Sequence, residues 1–370
     1  MRQSGSVERK WMDRALELAE RGRYSVSPNP MVGAVLVRSG RLVAEGFHER
    51  AGRPHAEVEA LARAGARARG ADLYVTLEPC VHFGRTLPCA PAILRSGVRR
   101  VIVGWRDPNP LVAGRGLADL SRQGVEVIEA EPDQRARAER QNEKFRVWIR
   151  DGRPFVLAKW AQTLDGRIAA AGGESRWITG RAARQRALLL REEHDAVLVG
   201  AGTILADDPR LTRRLGRNRA TPHRRIVLDG RLRVSEKARV FRPPGGAVLV
   251  TSRPPRHPGV RRFLERGIEV WSLPGRNGRI SVARLLSRLA REGVSSLLVE
   301  GGGETLWEFL RARRVDRVTV FLAPRILGGD GAPAAVAGKG FSLAATPRLQ
   351  DLELERIGRD VVVTARVVRG

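Results

Sequence analysis

The segment from Pro54 to Cys89 has the residue types of a catalytic metal centre. His55 is followed two positions later by Glu57, and the two cysteines of the chain, Cys80 and Cys89, each follow a proline. One imidazole and two thiolates are a full set of protein ligands for a catalytic Zn²⁺, and the fourth tetrahedral position is left for water. Zinc lowers the pKa of a bound water to about 7, and a carboxylate is suited to carry the protons of that water. The segment therefore predicts a hydrolytic zinc centre with Glu57 as its acid and base.

Three regular elements are predicted around these residues. AEVEALARAGARA is rich in helix-forming residues and places His55 and Glu57 in the first turn of a helix. ADLYVTLE predicts a strand that delivers Cys80 at its carboxyl end, and APAILRSG predicts a second helix directly after Cys89. The amino ends of helices favour ionised thiols, because the helix dipole is positive there.

The order His-x-Glu, Pro-Cys and Cys is typical of zinc nucleobase deaminases, in which the glutamate is the acid and base and is not a ligand. In most of those enzymes two residues separate the cysteines, whereas eight separate them here. A structural alternative is a pair of buried free cysteines beside a helix-capping histidine.

Composition limits the other classes of function. A length of 370 residues suggests two domains. The net charge is +27, and all but five of the 67 basic residues are arginine, spread through almost every segment. This spread favours a compositional bias over a nucleic-acid-binding stripe, and it leaves arginines for anionic substrates. Two cysteines in one metal site suit a reducing compartment, and neither a signal peptide nor a membrane span is predicted, so we expect a soluble cytoplasmic protein.

The first half predicts a mixed sheet with helices on both faces. A helix is predicted over Val7–Arg21, followed by a hairpin of MVGAVLV and RLVAEG. After the zinc segment, RRVIVGW and VEVIEA predict strands and GLADLSRQG a helix. Active sites in such sheets lie outside the carboxyl ends of strands, which is where Cys80 is expected.

The second half predicts a doubly wound sheet. We place the boundary at Asp151–Arg153, since QNEKFRVWIRDGRP has no clear pattern at its end. Beyond it strands such as FVLAKWA and AVLVGAG alternate with helices such as RAARQRALLLREE, and the chain ends in a hairpin of RLQDLELER and DVVVTARVV. In VEGGGETLW a strand ends in three glycines before a helix. Such a loop can bind a phosphate through its backbone N–H groups. Close packing between the strand and the helix would explain the three glycines about as well.

Four stretches of the first half are specific in combination, namely SPNPMVGAVLV, GFHERAGRPHAEVEAL, TLEPCVHFGRTLPC and GWRDPNPLVAGRG. They resemble the deaminase half of the bifunctional riboflavin-biosynthesis deaminase–reductases, a family in which eight residues also separate the cysteines. The resemblance implies a cytidine-deaminase-like fold and deamination of 2,5-diamino-6-(5-phosphoribosylamino)pyrimidin-4-one. It implies that His55, Cys80 and Cys89 hold zinc and that Glu57 carries the proton. The implied substrate pocket consists of Asn29, His48, His82 and Arg85.

The second half resembles the reductase half of the same family through RPFVLAKWAQTLDGRIA, GESRWITG, LVGAGTILADDPRLTRR and LLVEGGGETL. The resemblance implies a dihydrofolate-reductase-like fold that uses NADPH to reduce 5-amino-6-(5-phosphoribosylamino)uracil to its ribityl form. The implied cofactor positions are Ala161, Trp177, Thr203, Asp207, Gly302, Gly303, Glu304, Thr305 and Leu306. The implied substrate positions are Lys159, Ser175, Arg191, Leu211, Arg214 and Glu300. Gly230 stands where relatives often have a cofactor-contacting serine.

The sequence thus predicts a zinc-dependent deaminase domain over 1–150 and an NADPH-dependent reductase domain over 153–370. The expected partners are small phosphorylated pyrimidines and further copies of the chain, with no nucleic acid and no membrane. Two alternatives are a nucleoside or tRNA deaminase with an unrelated appendage, and a basic nucleic-acid-binding protein with a structural zinc. The second leaves Glu57 without a task, and a structural zinc normally has four protein ligands.

Overall fold

The structure is a computed structural model that describes residues 2–81, 87–110, 112–216, 222–275 and 278–368, with side chains from residue 9 onward. The chain divides into two compact units, Met1–Gly152 and Arg153–Gly370. Within the described residues, no helix is both long enough and apolar enough to cross a membrane.

The first unit contains six helices and five strands among its described residues. In chain order these are α1 (Arg2–Ala19), β1 (Gly33–Arg38), β2 (Arg41–Phe47), α2 (Ala56–Ala64), β3 (Asp72–Val75), α3 (Cys89–Ser96), β4 (Arg100–Val103), α4 (Arg115–Arg122), β5 (Glu126–Glu129), α5 (Pro132–Gln141) and α6 (Glu143–Asp151).

The five strands form one mixed sheet in the order β2-β1-β3-β4-β5. β1 is antiparallel to β2 and to β3, whereas β3, β4 and β5 are parallel. Alternate residues of β1 enter separate cores: Ala34 and Leu36 pack with residues of α2 and α3, and Val35 and Val37 pack with residues of α1. The predicted mixed sheet with both faces covered is confirmed, since period-two alternation sends side chains to opposite faces.

The second unit contains five helices and nine strands among its described residues. They are β6 (Phe155–Thr163), α7 (Arg181–Glu192), β7 (Ala196–Gly200), α8 (Ala201–Asp207), β8 (Arg224–Leu228), β9 (Ala247–Thr251), α9 (Pro258–Leu264), β10 (Glu269–Ser272), α10 (Val282–Arg291), β11 (Ser296–Val299), α11 (Gly303–Arg311), β12 (Arg317–Ala323), β13 (Arg348–Ile357) and β14 (Asp360–Val368).

These nine strands form a single sheet in the order β10-β9-β8-β7-β11-β6-β12-β14-β13. The first seven are parallel, and the terminal hairpin β13–β14 adds two antiparallel strands at one edge. Strands such as β7 and β11 are buried along their whole length, as expected for parallel strands with helices on both faces. The edge strand β13 is the opposite case, because all of its residues except Ile357 are exposed.

The second unit begins with a buried ion pair. Two guanidinium nitrogens of Arg153 donate to the two carboxylate oxygens of Asp316 at 2.8 and 2.6 Å. The same carboxylate accepts the backbone N–H of Val156 at 2.8 Å. Both side chains are less than a tenth exposed, so the pair ties the start of the unit to the residue that precedes β12.

Several predicted boundaries differ from the structure. The strand that was expected to reach Cys80 ends at Val75, although Glu78 still donates its N–H to Trp105 at 2.9 Å. Helices α5, α6 and α9 were not predicted from the sequence. α5 lacks an apolar stripe because polar contacts attach it to α1: its Gln134 donates to the backbone oxygen of Arg9 at 2.8 Å.

Two candidate active sites

The candidate metal centre gathers three ligand atoms from separate elements of the first unit. His55 precedes the first residue of α2, Cys89 is the first residue of α3, and Cys80 lies in the segment after β3. His55 Nδ1 lies 3.1 Å from Cys89 Sγ and 3.5 Å from Cys80 Sγ. The three ligand atoms all lie within 4.8 Å of one another. This set of one nitrogen and two sulfurs fits a tetrahedral zinc with one open position.

Electrostatics at the centre favour a thiolate. Hydrogen bonds from Cys89 and, more weakly, from His55 lower the pKa of Cys80 to about 4, although burial opposes the shift. The same hydrogen bond to Cys80, together with burial, raises the pKa of Cys89. Metal binding requires deprotonated sulfur, and the lowered pKa of Cys80 favours that form.

Glu57 lies in the first turn of α2 and is almost completely buried beside the two sulfurs. Burial raises the pKa of its carboxyl group. A carboxyl group with a raised pKa exchanges protons more readily near neutral pH than an exposed one, which suits a general acid and base.

Of the four predicted pocket residues of the deaminase, His48 lies next to His55 and contacts a second one, Asn29. Asn29 Nδ2 is 3.0 Å from His48 Nε2, and His48 Nδ1 is 3.1 Å from the backbone oxygen of Pro54. Because both partners fix the ring, His48 donates from Nδ1 and accepts at Nε2, and burial lowers its pKa. The ring centroids of His48 and His55 are 5.3 Å apart. His82 and Arg85 lie outside the described residues.

In the second unit, three of the predicted substrate residues form a charged cluster. Arg191, near the end of α7, donates to both carboxylate oxygens of Glu300 at 2.6 and 2.7 Å. Although burial alone would raise it, Arg191 lowers the pKa of Glu300 to about 2, and Lys159 on β6 adds to this effect. Burial in turn lowers the pKa of Lys159, whose Nζ lies 5.4 Å from the centre of the Phe321 ring.

Leu211 and Arg214 lie in the segment between α8 and β8. Leu211 is buried and has a φ of 54°, which is uncommon for a residue with a side chain. Its backbone oxygen accepts a hydrogen bond from His223 Nε2 at 3.1 Å. Burial and the positive charges of Arg191 and two further arginines lower the pKa of Arg214, while Glu300 opposes them. Arg214 therefore belongs to the electrostatic surroundings of the Arg191–Glu300 pair.

The glycine loop joins β11 to α11. Gly301 has a φ of 90°, and Gly302 donates its N–H to Thr203 Oγ1 at 2.9 Å. A Cβ on Gly303 would lie 3.0 Å from the backbone oxygen of Ala334, and a Cβ on Gly200 would lie 2.3 Å from Thr305 Oγ1. The starts of α8 and α11 thus approach closely at the carboxyl ends of the adjacent strands β7 and β11. Backbone donors arranged in this way fit the phosphates of a dinucleotide.

The remaining predicted cofactor and substrate residues lie near the same edge of the sheet or on the strands that lead to it. Asp207 ends α8, accepts a hydrogen bond from Ser175 Oγ at 3.3 Å and accepts another at its backbone oxygen from Arg176 at 2.8 Å. The exposed Trp177 ring lies 4.3 Å from the guanidinium carbon of Arg184. Ala161 lies on β6. The first turn of α11 contains Glu304, Thr305 and Leu306. The backbone oxygen of Gly230 accepts a hydrogen bond from Ser252 Oγ at 2.9 Å.

Comparisons with known proteins match both units. Residues 6–105 match the cytidine and deoxycytidylate deaminase zinc-binding region, and residues 154–363 match the RibD C-terminal domain. The riboflavin biosynthesis protein RibD of Aquifex aeolicus (strain VF5) is 41% identical over 358 residues, covering 96% of this chain and 98% of that protein. The RibD of Escherichia coli (strain K12) is 39% identical over 363 residues, covering 95% and 97%. The chain belongs to the RibD family.

Solved RibD structures agree over the whole length. Acinetobacter baumannii RibD has a TM-score of 0.85 at 35% identity and covers 99% of this chain and 100% of that one. A diaminohydroxyphosphoribosylaminopyrimidine deaminase/5-amino-6-(5-phosphoribosylamino)uracil reductase from Thermotoga maritima has a TM-score of 0.85 at 36% identity, with the same coverage. The chain is therefore a bifunctional deaminase and reductase of riboflavin biosynthesis, and its cofactors are zinc and NADPH. The predicted family, fold class, function and cofactors are confirmed.

Sequence reasoning missed two buried carboxylates beside Cys80. Glu78 accepts the backbone N–H groups of Gly114 and Gly116, each at 3.0 Å, and so holds the segment before α4 against the zinc segment. Burial raises the pKa of Asp107 to about 7, and its Oδ1 accepts the N–H of Asn109 at 2.8 Å. The motif GWRDPNP was a signal in the sequence for Asp107. Glu78 binds backbone N–H groups, which leave no such signal in the sequence.

The second unit also contains charges that were not predicted. Arg210 and Arg239 are the two further arginines whose charge acts on Arg214. Arg239 donates its backbone N–H to Asp208 Oδ1 at 2.8 Å, which places it beside the end of α8. The resulting concentration of arginines suits a phosphate-bearing substrate.

Proposed function

We propose that residues 1–150 deaminate 2,5-diamino-6-(5-phosphoribosylamino)pyrimidin-4-one and that residues 153–370 reduce the resulting 5-amino-6-(5-phosphoribosylamino)uracil with NADPH. The main support for this proposal is that the side chains of His55, Cys80 and Cys89 lie together beside the buried Glu57 in the first unit. The name of the Thermotoga maritima relative, which gives both a deaminase and a reductase, supports these substrates.

In the deaminase domain His55, Cys80 and Cys89 would hold zinc, which supplies a nucleophilic water at neutral pH when bound. As general acid and base, Glu57 would accept a proton and deliver it to the departing amino group. Its burial supports this role, because a raised pKa lets one carboxyl group both accept and release the proton.

The substrate of the deaminase would be oriented by Asn29 and His48. The ring of His48 is held between Asn29 and the backbone oxygen of Pro54, and burial lowers its pKa, so the pair offers a fixed arrangement of polar atoms. His82 and Arg85 complete the proposed pocket, and a cation at Arg85 suits the substrate phosphate.

In the reductase domain Lys159, Ser175, Arg191, Leu211, Arg214 and Glu300 would bind the substrate. NADPH supplies the hydride when bound, and the chain supplies position and charge. The cofactor contacts are proposed for Ala161, Trp177, Thr203, Asp207 and 302–306. Buried charge supports the substrate assignment: the Arg191–Glu300 pair is fixed by two short hydrogen bonds and can present a rigid polar surface to a ribose.

We further propose that the chain forms a homo-oligomer, acts in the cytoplasm and binds neither nucleic acid nor a membrane. Leu349, Leu352 and Leu354 are 45–73% exposed on the edge strand β13, and such an edge is suited to pairing with another chain. Cys80 and Cys89 are free thiols, and a reducing compartment keeps such thiols able to bind metal. The spread of arginines along the chain is compatible with anionic small molecules as partners.

The proposal is tested by following ammonia release and NADPH oxidation together on the diamino substrate under anaerobic conditions. Cys80→Ser is expected to lose zinc and ammonia release while it still oxidises NADPH on the deaminated substrate. A Cys80→Ser protein that keeps a full complement of zinc and normal deamination would contradict the ligand assignment. Absence of NADPH oxidation on the deaminated substrate by the wild-type protein would contradict the reductase assignment.

A further inference from the structure

The segment 211–215 carries two predicted substrate residues and is held in place by side chains outside the predicted site. Its Arg213 guanidinium donates to the backbone oxygens of Arg191 and His194 at 3.1 and 2.6 Å, and so attaches the segment to the end of α7. His223 holds the backbone oxygen of Leu211 from the other side. These contacts fix the middle and the start of the segment.

The end of the segment is held by Glu192, the last residue of α7. Glu192 is completely buried, and its Oε1 accepts the backbone N–H groups of Arg214 at 3.0 Å and Leu215 at 2.9 Å. Removing a carboxylate from water is costly unless hydrogen bonds replace its solvation. Bonds to a charged acceptor are about twice as strong as neutral ones, so these two bonds define the backbone position of Arg214.

The side chain of Arg214 depends on that backbone for its position. Glu300 is itself paired with Arg191, and its charge also attracts the guanidinium of Arg214. The charges that act on it besides Glu300 are the arginines at 191, 210 and 239, which repel it. Repulsion between like charges falls with distance, so the guanidinium can relieve it by moving away, and the position of the Arg214 backbone limits how far it can move.

We propose that Glu192 is a positioning residue of the reductase. By fixing the N–H groups of Arg214 and Leu215, it keeps the Arg214 guanidinium among the other arginines, where it meets the phosphate of the substrate. The inference rests on the proposed function, in which Arg214 binds the phosphorylated uracil. Glu192 itself does not touch substrate, and its negative charge would by itself repel a phosphate.

The experiment measures reductase kinetics of the full chain with 5-amino-6-(5-phosphoribosylamino)uracil and NADPH for three variants. Glu192→Ala is expected to raise the KM for the uracil about 10- to 100-fold, the size of losing hydrogen bonds to a charged group. The kcat and the KM for NADPH are expected to change less than about threefold. Glu192→Gln keeps an acceptor oxygen and is expected to restore most of the affinity. Glu192→Asp keeps the charge but is one methylene too short, so its KM is expected to lie between those of the wild type and the alanine variant.

Two further measurements separate positioning from a general structural role. With Arg214→Ala as background, Glu192→Ala is expected to raise the KM no further, since the two residues act on one contact. With the substrate lacking its phosphate, the wild type and Glu192→Ala are expected to have the same KM. Glu292→Ala is the matched control, because Glu292 lies at the end of α10 and pairs with Arg224 and Arg288, both of which lie outside 211–215.

A Glu192→Ala or Glu192→Asp variant with an unchanged or lowered KM would overturn the proposal, as would additive effects in the Arg214→Ala background. If the alanine variant does not fold, the aspartate variant gives the decision. Failure of the proposed function is a different result, since the wild-type protein would then show no NADPH oxidation with this substrate.

Discussion

Replacing Glu300 by glutamine is expected to destabilise the second unit, because it leaves Arg191 and Lys159 without their negative partner. Arg191 donates to both oxygens of the Glu300 carboxylate, and both side chains of the pair are largely buried. Glutamine has the shape of the protonated carboxyl group, so the substitution reproduces protonation of Glu300 at every pH. The loss can therefore be derived from the pKa of Glu300.

The pKa of Glu300 falls from an ordinary 4.5 to about 2 in the folded protein, against the effect of burial and because of Arg191. A shift of this size corresponds to roughly 3 kcal/mol of stability at neutral pH. This agrees with the roughly 3–5 kcal/mol expected when one partner of a buried ion pair is removed. For a unit of this size the expected loss lowers the midpoint of thermal unfolding by roughly 6–12 °C.

The sign of the pH dependence provides a second check. A lowered pKa stabilises the folded state above the unfolded pKa, and this contribution is lost as the pH falls through the folded pKa. The difference between wild type and Glu300→Gln should therefore be constant above about pH 5 and shrink as the pH falls toward 2.

The assay is thermal unfolding of the full chain, in which the transition of the second unit is recognised because NADPH raises it. Glu308→Gln is the control, since Glu308 pairs with the half-exposed Arg279 and Arg311 and its loss should remain below about 1 kcal/mol. A loss below about 1 kcal/mol for Glu300→Gln, or a difference that is the same at pH 3.5 and pH 7, would refute the reasoning.

Two further outcomes are expected. Glu57→Gln should retain zinc, because no ligand is changed. Its rate of ammonia release should fall by about 10²–10⁴-fold, which is the usual contribution of a general acid and base. Near-normal release would mean that another group carries the proton. A chain that begins at Arg153 and ends at residue 370 should fold alone and bind NADPH more tightly than NADH in a fluorescence titration, and a folded fragment without this preference would contradict the assignment of the cofactor site to this unit.

The metal centre could be predicted from the sequence because its ligands belong to residue types with few other tasks. Cysteine occurs only twice in the chain, and both copies lie after a proline near the start or end of a predicted element. The sheets could be predicted because buried parallel strands such as β7 and β11 are continuous apolar runs. The roles of the individual site residues stay predictions.

The contacts that hold the sites together could not be predicted in the same way. Glu192 and Glu78 each bind backbone N–H groups far away in the sequence. Almost every residue type has a backbone N–H, so the sequence does not show which one is the donor. Helix α5 was missed for a related reason. It attaches to α1 through polar contacts such as Gln134 to Arg9, so it has no apolar period to recognise.

The ion pair at the start of the second unit determines where the two activities can be separated. The match to the RibD C-terminal domain begins at residue 154, so a fragment designed on that match would omit Arg153. Asp316 would then be a buried carboxylate without its guanidinium, at a loss of roughly 3–5 kcal/mol. Since a domain is stable by only about 5–15 kcal/mol, starting the fragment at residue 154 instead of residue 153 is expected to remove a large part of the stability of the reductase unit.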